Sequence, residues 1–293
     1  MKSIALALAI ASAPAAAHVP QAEIAPAIYT DPPHDAAHPA AMEVLHIPSG
    51  GVRINGVAYI AAGAGLHPTL VLMHGLPGNE KNLDLAQAVR RAGWTVVTFN
   101  YRGSWGSPGR FSFAGNLDDA EAVLSYLREP ANAAKLGIDT RRIVVAGHSM
   151  GGWVAAMTAE HDPALAGAIL ISAANMGGMG LSREQETAMM ADNMETLSGV
   201  TAETMAEEVL AHPEFDWTRD SARLARAPLL VLTSDDGLAP GADALAAKAG
   251  AVPGSRVAKV HASTDHGWSG ARIRLAQEVI KWLEQLGAEG RRK

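Results

Sequence analysis

Apolar residues along this chain recur in two alternating modes. Short, largely apolar runs at residues 69–73, 94–99, 143–146, 168–171, 229–232 and 257–260 carry the pattern of strands in a covered sheet. Between them the spacing changes to that of amphipathic helices. Residues 83–91 form one, stopped by Gly93; Leu117, Ala120, Val123, Leu124 and Leu127 mark a second; Leu275, Val279, Trp282, Leu283 and Leu286 mark a closing one. Strand and helix alternating this often predict an α/β fold, a mostly parallel central sheet with helices on both faces. Ahead of it, Asn55-Gly56 inside residues 52–60 predicts a tight primed turn, and with it an antiparallel N-terminal hairpin.

One stretch breaks the rhythm. Residues 174–226 contain no strand-like run but several helical segments, with Met176, Met179, Met189, Met190, Met194 and Met205. An insertion of this size after a strand sits over the carboxyl ends of the sheet, where open α/β sheets bind ligands. It predicts a helical cap. Its methionines serve equally as core filler and as the lining of an apolar pocket.

The first residues follow another logic. Met1-Lys2-Ser3, an apolar run to Ala11 and the small residues Ala15-Ala16-Ala17 have the form of a secretory signal peptide over residues 1–17, cut after Ala17. The run falls short of the roughly 20 apolar residues of a membrane span, so the mature chain is expected to be exported and to lack a span. Residues 18–42, rich in Ala, Pro and His, read as an extended lead-in to one domain over 43–290. His34 and His38 have the spacing of a helical metal pair, but Pro32, Pro33 and Pro39 oppose a helix there, and no metal site is expected.

Composition narrows the chemistry. The 293 residues carry 24 Lys and Arg against 30 Asp and Glu, with no basic block before the terminal Arg291-Arg292-Lys293, so a nucleic-acid partner is not expected. The absence of cysteine excludes disulfides, thiolate metal sites and a cysteine nucleophile. Gly63-Ala64-Gly65 lacks the third glycine and the strand-helix setting of a dinucleotide fingerprint, and no cofactor is required.

The strongest chemical signal is Gly147-His148-Ser149-Met150-Gly151-Gly152, between an apolar strand and a helix-compatible stretch. A serine on such a sharp turn is held out over the sheet at a helix amino end, and its neighbours two before and two after have no room for a Cβ. The hydroxyl needs a base. His148 points away on such a turn and is assigned to packing. His266, on the loop after the last strand, reaches the same rim. The imidazole needs a carboxylate to orient it, and Asp235 and Asp236 both follow the strand at 229–232. Asp236, farther out and four before Pro240, is favoured. Two backbone amides are expected to hold the oxyanion: Met150, after the serine, and Leu76, in the loop His74-Gly75-Leu76-Pro77-Gly78. His74 itself is an ordinary turn residue. Trp105, Phe111, Phe113, Trp153 and Trp268 are candidates to line a pocket, with Trp105 and Trp268 the substrate-binding choices. Arg102 invites a substrate-carboxylate role, but a structural ion pair is favoured.

With these residues in the order Ser, Asp, His, the chain from about Met42 to Leu286 resembles the α/β-hydrolase superfamily. It is similar to its bacterial esterase, dienelactone-hydrolase-like and acylaminoacyl-peptidase-like branches. It departs from dienelactone hydrolases in having serine as nucleophile, and from prolyl oligopeptidases in having no room for a propeller. The resemblance implies acyl-enzyme chemistry on a small-molecule acyl substrate. Hydrolysis of carboxylic esters leads. An aminopeptidase or acyl-peptide hydrolase with the same triad comes second, and a hydrolase-fold binding protein without turnover third.

Overall fold

The computed structural model describes residues 24–290. The expected leader at 1–17 and its cut after Ala17 lie outside the described residues. Eight strands form one sheet: β1 (Ala41–Ser49), β2 (Val52–Ile60), β3 (His67–Met73), β4 (Thr95–Phe99), β5 (Ile138–His148), β6 (Gly167–Ile171), β7 (Leu229–Ser234) and β8 (Val257–Ala262). Their spatial order is β1-β2-β4-β3-β5-β6-β7-β8. The first two strands pair antiparallel, β2 joins β4 antiparallel, and every later pair is parallel.

The antiparallel start is present, but its turn is not at Asn55-Gly56. Ser49 pairs with Val52, so the two-residue loop is Gly50-Gly51, with φ of 52° and 80°. Positive φ at both positions is what a primed hairpin turn demands, and two glycines meet it without side-chain clash. Asn55 and Gly56 lie inside β2, where the Asn55 amide donates to Ser107 Oγ at 2.9 Å and its carbonyl accepts from the Asn100 amide at 2.8 Å. Gly56 is closely packed there, since a Cβ would come 3.0 Å from the Thr98 carbonyl on β4.

Helices cover both faces. On one lie α1 (Leu83–Arg91) and the closing α9 (Arg272–Gly290), packed on Leu70, Leu72, Val144, Ile169 and Leu230. The other face carries α2 (Phe113–Arg128), α3 (Pro130–Leu136), α4 (Met150–His161) and, between β7 and β8, α8 (Ala239–Gly250). From Met150 to Glu160 every residue of α4 is buried, the condition of a helix without a solvent stripe. The part of the lead-in around residues 25–28 is docked on the domain. After a short turn at Pro26–Ile28, Arg91 Nε donates to the Ala27 carbonyl at 2.6 Å, and the Ala25 amide donates to Gln277 Oε1 at 2.7 Å.

Between β6 and β7 the chain is helical: α5 (Arg183–Ala191), α6 (Ala202–Ala211) and α7 (Ser221–Leu224). Ser182 and Thr201 start the first two of these with reciprocal caps, each side chain taking an amide three residues on while its own amide is bonded in return. Met176, Met190 and Met205 are buried, while Met179, Met189 and Met194 are half-buried against the same core. Among the described residues no helix is long and apolar enough to cross a membrane.

Candidate active site

Strand order decides where a site can form. Both β4 and β5 neighbour β3, so the chain turns in opposite directions after β3 and β5, leaving a crevice at their carboxyl ends. The Gly75–Gly78 loop leaves β3 at this crevice, and Ser149 leaves β5 beside it.

Ser149 has φ 57° and ψ −125°, a region almost restricted to glycine. The surrounding backbone enforces it. A Cβ at Gly147 would lie 1.9 Å from the Gly151 carbonyl oxygen, and one at Gly151 would lie 2.3 Å from that of Met73. The turn is therefore tied to β3 itself. At Gly75 a Cβ would come 2.9 Å from that of Ser149 and 3.5 Å from its Oγ, so the β3 loop passes directly beside the serine. The Ser149 carbonyl accepts from the amides of Gly152, Trp153 and Ala174. As the first residue of α4, Met150 has an amide with no intrahelical acceptor.

His266 and Asp236 meet across two strand-end loops. His266 Nδ1 donates to Asp236 Oδ2 at 2.7 Å, and the Asp236 side chain is 3% exposed. A carboxylate only accepts, so Nδ1 carries a proton, and in the neutral ring the lone pair is on Nε2. Burial pushes the Asp236 carboxyl up, but bonds from His266, the Leu238 amide and Ser234 outweigh it and hold the group below the usual carboxylate range. Asp235 turns elsewhere and meets His261 Nε2 at 3.0 Å.

His148 is the packing residue expected, with an added role. Its Nε2 donates to the His266 carbonyl at 2.8 Å, and the two rings stand 4.5 Å apart. Burial first, and then the neighbouring His266, depress its pKa to about 4, so it stays neutral. His74 is likewise depressed to about 4 by burial, and its Nδ1 donates to the Gly75 carbonyl at 2.8 Å.

The aromatic candidates separate by burial. Trp268 is no substrate-binding residue: it is 0% exposed in the α9 core, and its indole N–H donates to Ser172 Oγ at 2.9 Å. Phe111, Phe113 and Trp153 are also fully buried. Trp105 is 38% exposed at the rim, its Nε1 donating to the Pro77 carbonyl at 2.8 Å and its ring lying 4.2 Å from Lys81 Nζ. Arg102 is a structural residue. Its Nε meets Asp119 Oδ1 at 2.6 Å and its amide meets Oδ2 at 2.7 Å, while its Nη2 takes Asp118 and the Gly115 carbonyl.

Sequence reasoning did not find Thr196, whose hydroxyl donates to the Pro77 carbonyl at 3.0 Å across 119 residues. No local pattern marks such a contact. Among the described residues no group of three or more His, Asp or Glu side chains could hold a metal.

Solved structures with the same fold include an esterase of Pyrobaculum calidifontis, 21% identical with a TM-score of 0.63, covering 86% of this chain and 88% of that one. A thermostable carboxylesterase from a metagenomic library is 25% identical with a TM-score of 0.61, covering 84% and 90%. Est1E of Butyrivibrio proteoclasticus, with bound ferulic acid, is 16% identical with a TM-score of 0.65, covering 83% and 99%. By sequence, an uncharacterized protein of Mycobacterium tuberculosis is 31% identical over 126 residues, 43% of each chain, so the match spans less than half of that relative. The profile of the alpha/beta hydrolase family matches residues 70–289, and the chain belongs to that family.

Proposed function

We propose that the protein is an exported serine hydrolase that cleaves carboxylic esters through an acyl-enzyme. The observation that carries this reading is the strained Ser149 turn beside the β3 loop, with His266 bonded to buried Asp236 on the next loops of the same rim. Ser149 Oγ attacks the ester carbonyl while His266 Nε2 takes its proton. Asp236 holds the ring and stabilises the imidazolium. The oxygen of the tetrahedral intermediate accepts from the Leu76 and Met150 amides, the latter at the positive end of α4. His266 then protonates the departing alkoxide, and the acyl-enzyme is released by water activated at the same nitrogen.

The carboxylesterase neighbour at 25% identity supports an ester as the scissile bond. So does Arg102, whose ion pairing inside the fold leaves it no charge to offer a peptide terminus.

The test is hydrolysis of p-nitrophenyl esters from short to long acyl chains beside aminoacyl and peptidyl anilides, with wild type and Ser149→Ala. Ester turnover abolished in Ser149→Ala is the expected result. Turnover of anilides alone would replace the reading by a peptidase. Failure of folded protein to react with a fluorophosphonate would replace it by a binding protein. Export is checked separately by sequencing the amino terminus of the secreted chain, expected at His18.

A further inference from the structure

We propose that Trp105 and Thr196 form a clamp that positions the Leu76 amide, so that seating of the cap sets the oxyanion site. The inference rests on the serine-hydrolase reading above and deepens it. Two side chains from distant parts of the chain donate to one acceptor, the Pro77 carbonyl: Trp105 Nε1 at 2.8 Å and Thr196 Oγ1 at 3.0 Å. The donors are also tied to each other, because the Trp105 amide donates to the Thr196 carbonyl at 3.2 Å. Pro77, Trp105 and Thr196 thus close a ring of hydrogen bonds that contains the residue next to Leu76.

The loop needs such a restraint. It runs from Gly75 to Gly78 and carries glycine at both ends, which leaves backbone freedom on either side of Leu76. Proline locks its own φ, so holding the Pro77 carbonyl limits the rotation that would swing the Leu76 amide away. The indole packs on the loop as well as bonding to it: a Cβ at Gly78 would sit 2.9 Å from Trp105 Nε1. Trp105 has φ 49°, a left-handed conformation unusual for a tryptophan, held by its surroundings. Lys81 and Asn100 provide that support. Lys81 Nζ lies 4.2 Å from the ring centre and donates to Asn100 Oδ1 at 2.8 Å, and Asn100 Nδ2 donates to the Trp105 carbonyl at 3.2 Å.

Thr196 belongs to the insertion, between α5 and α6. Its segment is zipped to the Trp105 loop by a bridge between Ser104 and Leu197 and by bonds from the Ser198 amide to the Gly103 carbonyl and from the Phe111 amide to the Ser198 carbonyl. Displacing the cap would remove one donor directly and release the indole that supplies the other. Both are positioning residues, acting on the oxyanion through the loop.

The experiment uses full-length enzyme and p-nitrophenyl acetate with Trp105→Phe, Thr196→Val, Thr196→Ser and the double variant Trp105→Phe/Thr196→Val. A loosely held oxyanion donor costs about 10–100-fold in rate. Each single loss should lower kcat about fivefold and the double about 25-fold, with KM within about twofold and Thr196→Ser close to wild type. Affinity for a trifluoromethyl ketone, whose adduct bears the oxyanion, should fall in step with kcat, while affinity for the product acid stays unchanged. A folded double variant with kcat within about twofold of wild type overturns the clamp, as does a fall in kcat without loss of ketone affinity. If the double variant does not fold, the contrast of Thr196→Val with Thr196→Ser decides. Ser149→Ala is the separate control: its retained activity would overturn the underlying reading, and with it the clamp, whereas an inactive Ser149→Ala beside an active double variant overturns the clamp alone.

Discussion

The Asp236 carboxylate lies 2.7 Å from His266 Nδ1, whereas its neighbour Asp235 faces His261 at 3.0 Å. Two adjacent carboxylates are thereby given to different histidines. On the proposed mechanism, Asp236→Asn removes the charge that stabilises the imidazolium and should lower kcat by about 10³–10⁴-fold. Asp235→Asn should leave kcat within about threefold, since its side chain is exposed. Steady-state kinetics on one short ester compares the two, and a larger loss in Asp235→Asn would reassign the acid.

The Ser149 turn can be probed through stability rather than turnover. Gly147→Ala and Gly151→Ala would place a methyl group 1.9 Å and 2.3 Å from backbone oxygens that no rotamer change can move. Each should cost several kcal/mol, about 3 or more, or prevent folding. Ser149→Gly relieves the positive φ and should melt higher than Ser149→Ala, by an amount on the order of 1 kcal/mol. Thermal denaturation of the four variants is the check; equal melting of Ser149→Gly and Ser149→Ala would mean that the turn stores no strain.

Stability should depend on pH through groups with opposite signs. His74 and His148, each depressed to about 4, are neutral in the fold and bind protons on unfolding once the pH drops below their ordinary value of 6.5. Their contribution is full above 6.5 and is lost as pH falls towards 4. Glu160 works the other way. Burial, followed by the repulsion of Asp220 and Asp216 and only partly opposed by Arg223, raises it to about 8. Holding it protonated favours the fold at low pH, and that advantage disappears between its ordinary 4.5 and 8. Glu160→Gln should therefore raise the melting temperature at pH 8 by a few degrees, roughly 2–6 °C, and change it little near pH 4.5. Urea titrations across pH 4–8 on wild type, His148→Asn and Glu160→Gln separate the two contributions. An identical pH profile for wild type and Glu160→Gln would exclude the raised carboxyl.

Asp119 is wholly buried and takes Arg102 Nε, the Arg102 amide and the Ser49 hydroxyl. Asp119→Ala leaves the guanidinium and hydroxyl without that acceptor and should destabilise the protein by about 3–5 kcal/mol. KM of the surviving folded enzyme should be unchanged to within about twofold. Chemical denaturation and ester kinetics test both halves; a rise in KM at full stability would return Arg102 to the substrate site.

Periodicity made most of the fold legible. The apolar runs at residues 69–73 and 229–232 coincide with parts of β3 and β7, and the helix over 83–91 coincides with α1, because burial on two faces or on one stripe is written locally in the sequence. The hairpin turn was misplaced for an equally physical reason. Asn55-Gly56 and Gly50-Gly51 both suit a primed turn, and only pairing with β1 and β4 decides which one bends. Trp268 reads as a substrate contact for want of any local mark of burial: an indole in the loop after the last strand looks the same whether it faces a crevice or Ser172.

What the sequence by itself determined is chemical identity and order along the chain: a serine between glycines at a strand-helix junction, an acid after a later strand, a histidine after the last. These depend on residue type and short-range spacing. The tertiary structure alone decided which of two adjacent aspartates meets His266, which tryptophan reaches the rim, and that Thr196 shares an acceptor with Trp105. Each is a matter of distance between segments tens of residues apart or more, set by strand order and by which side chains the two cores bury.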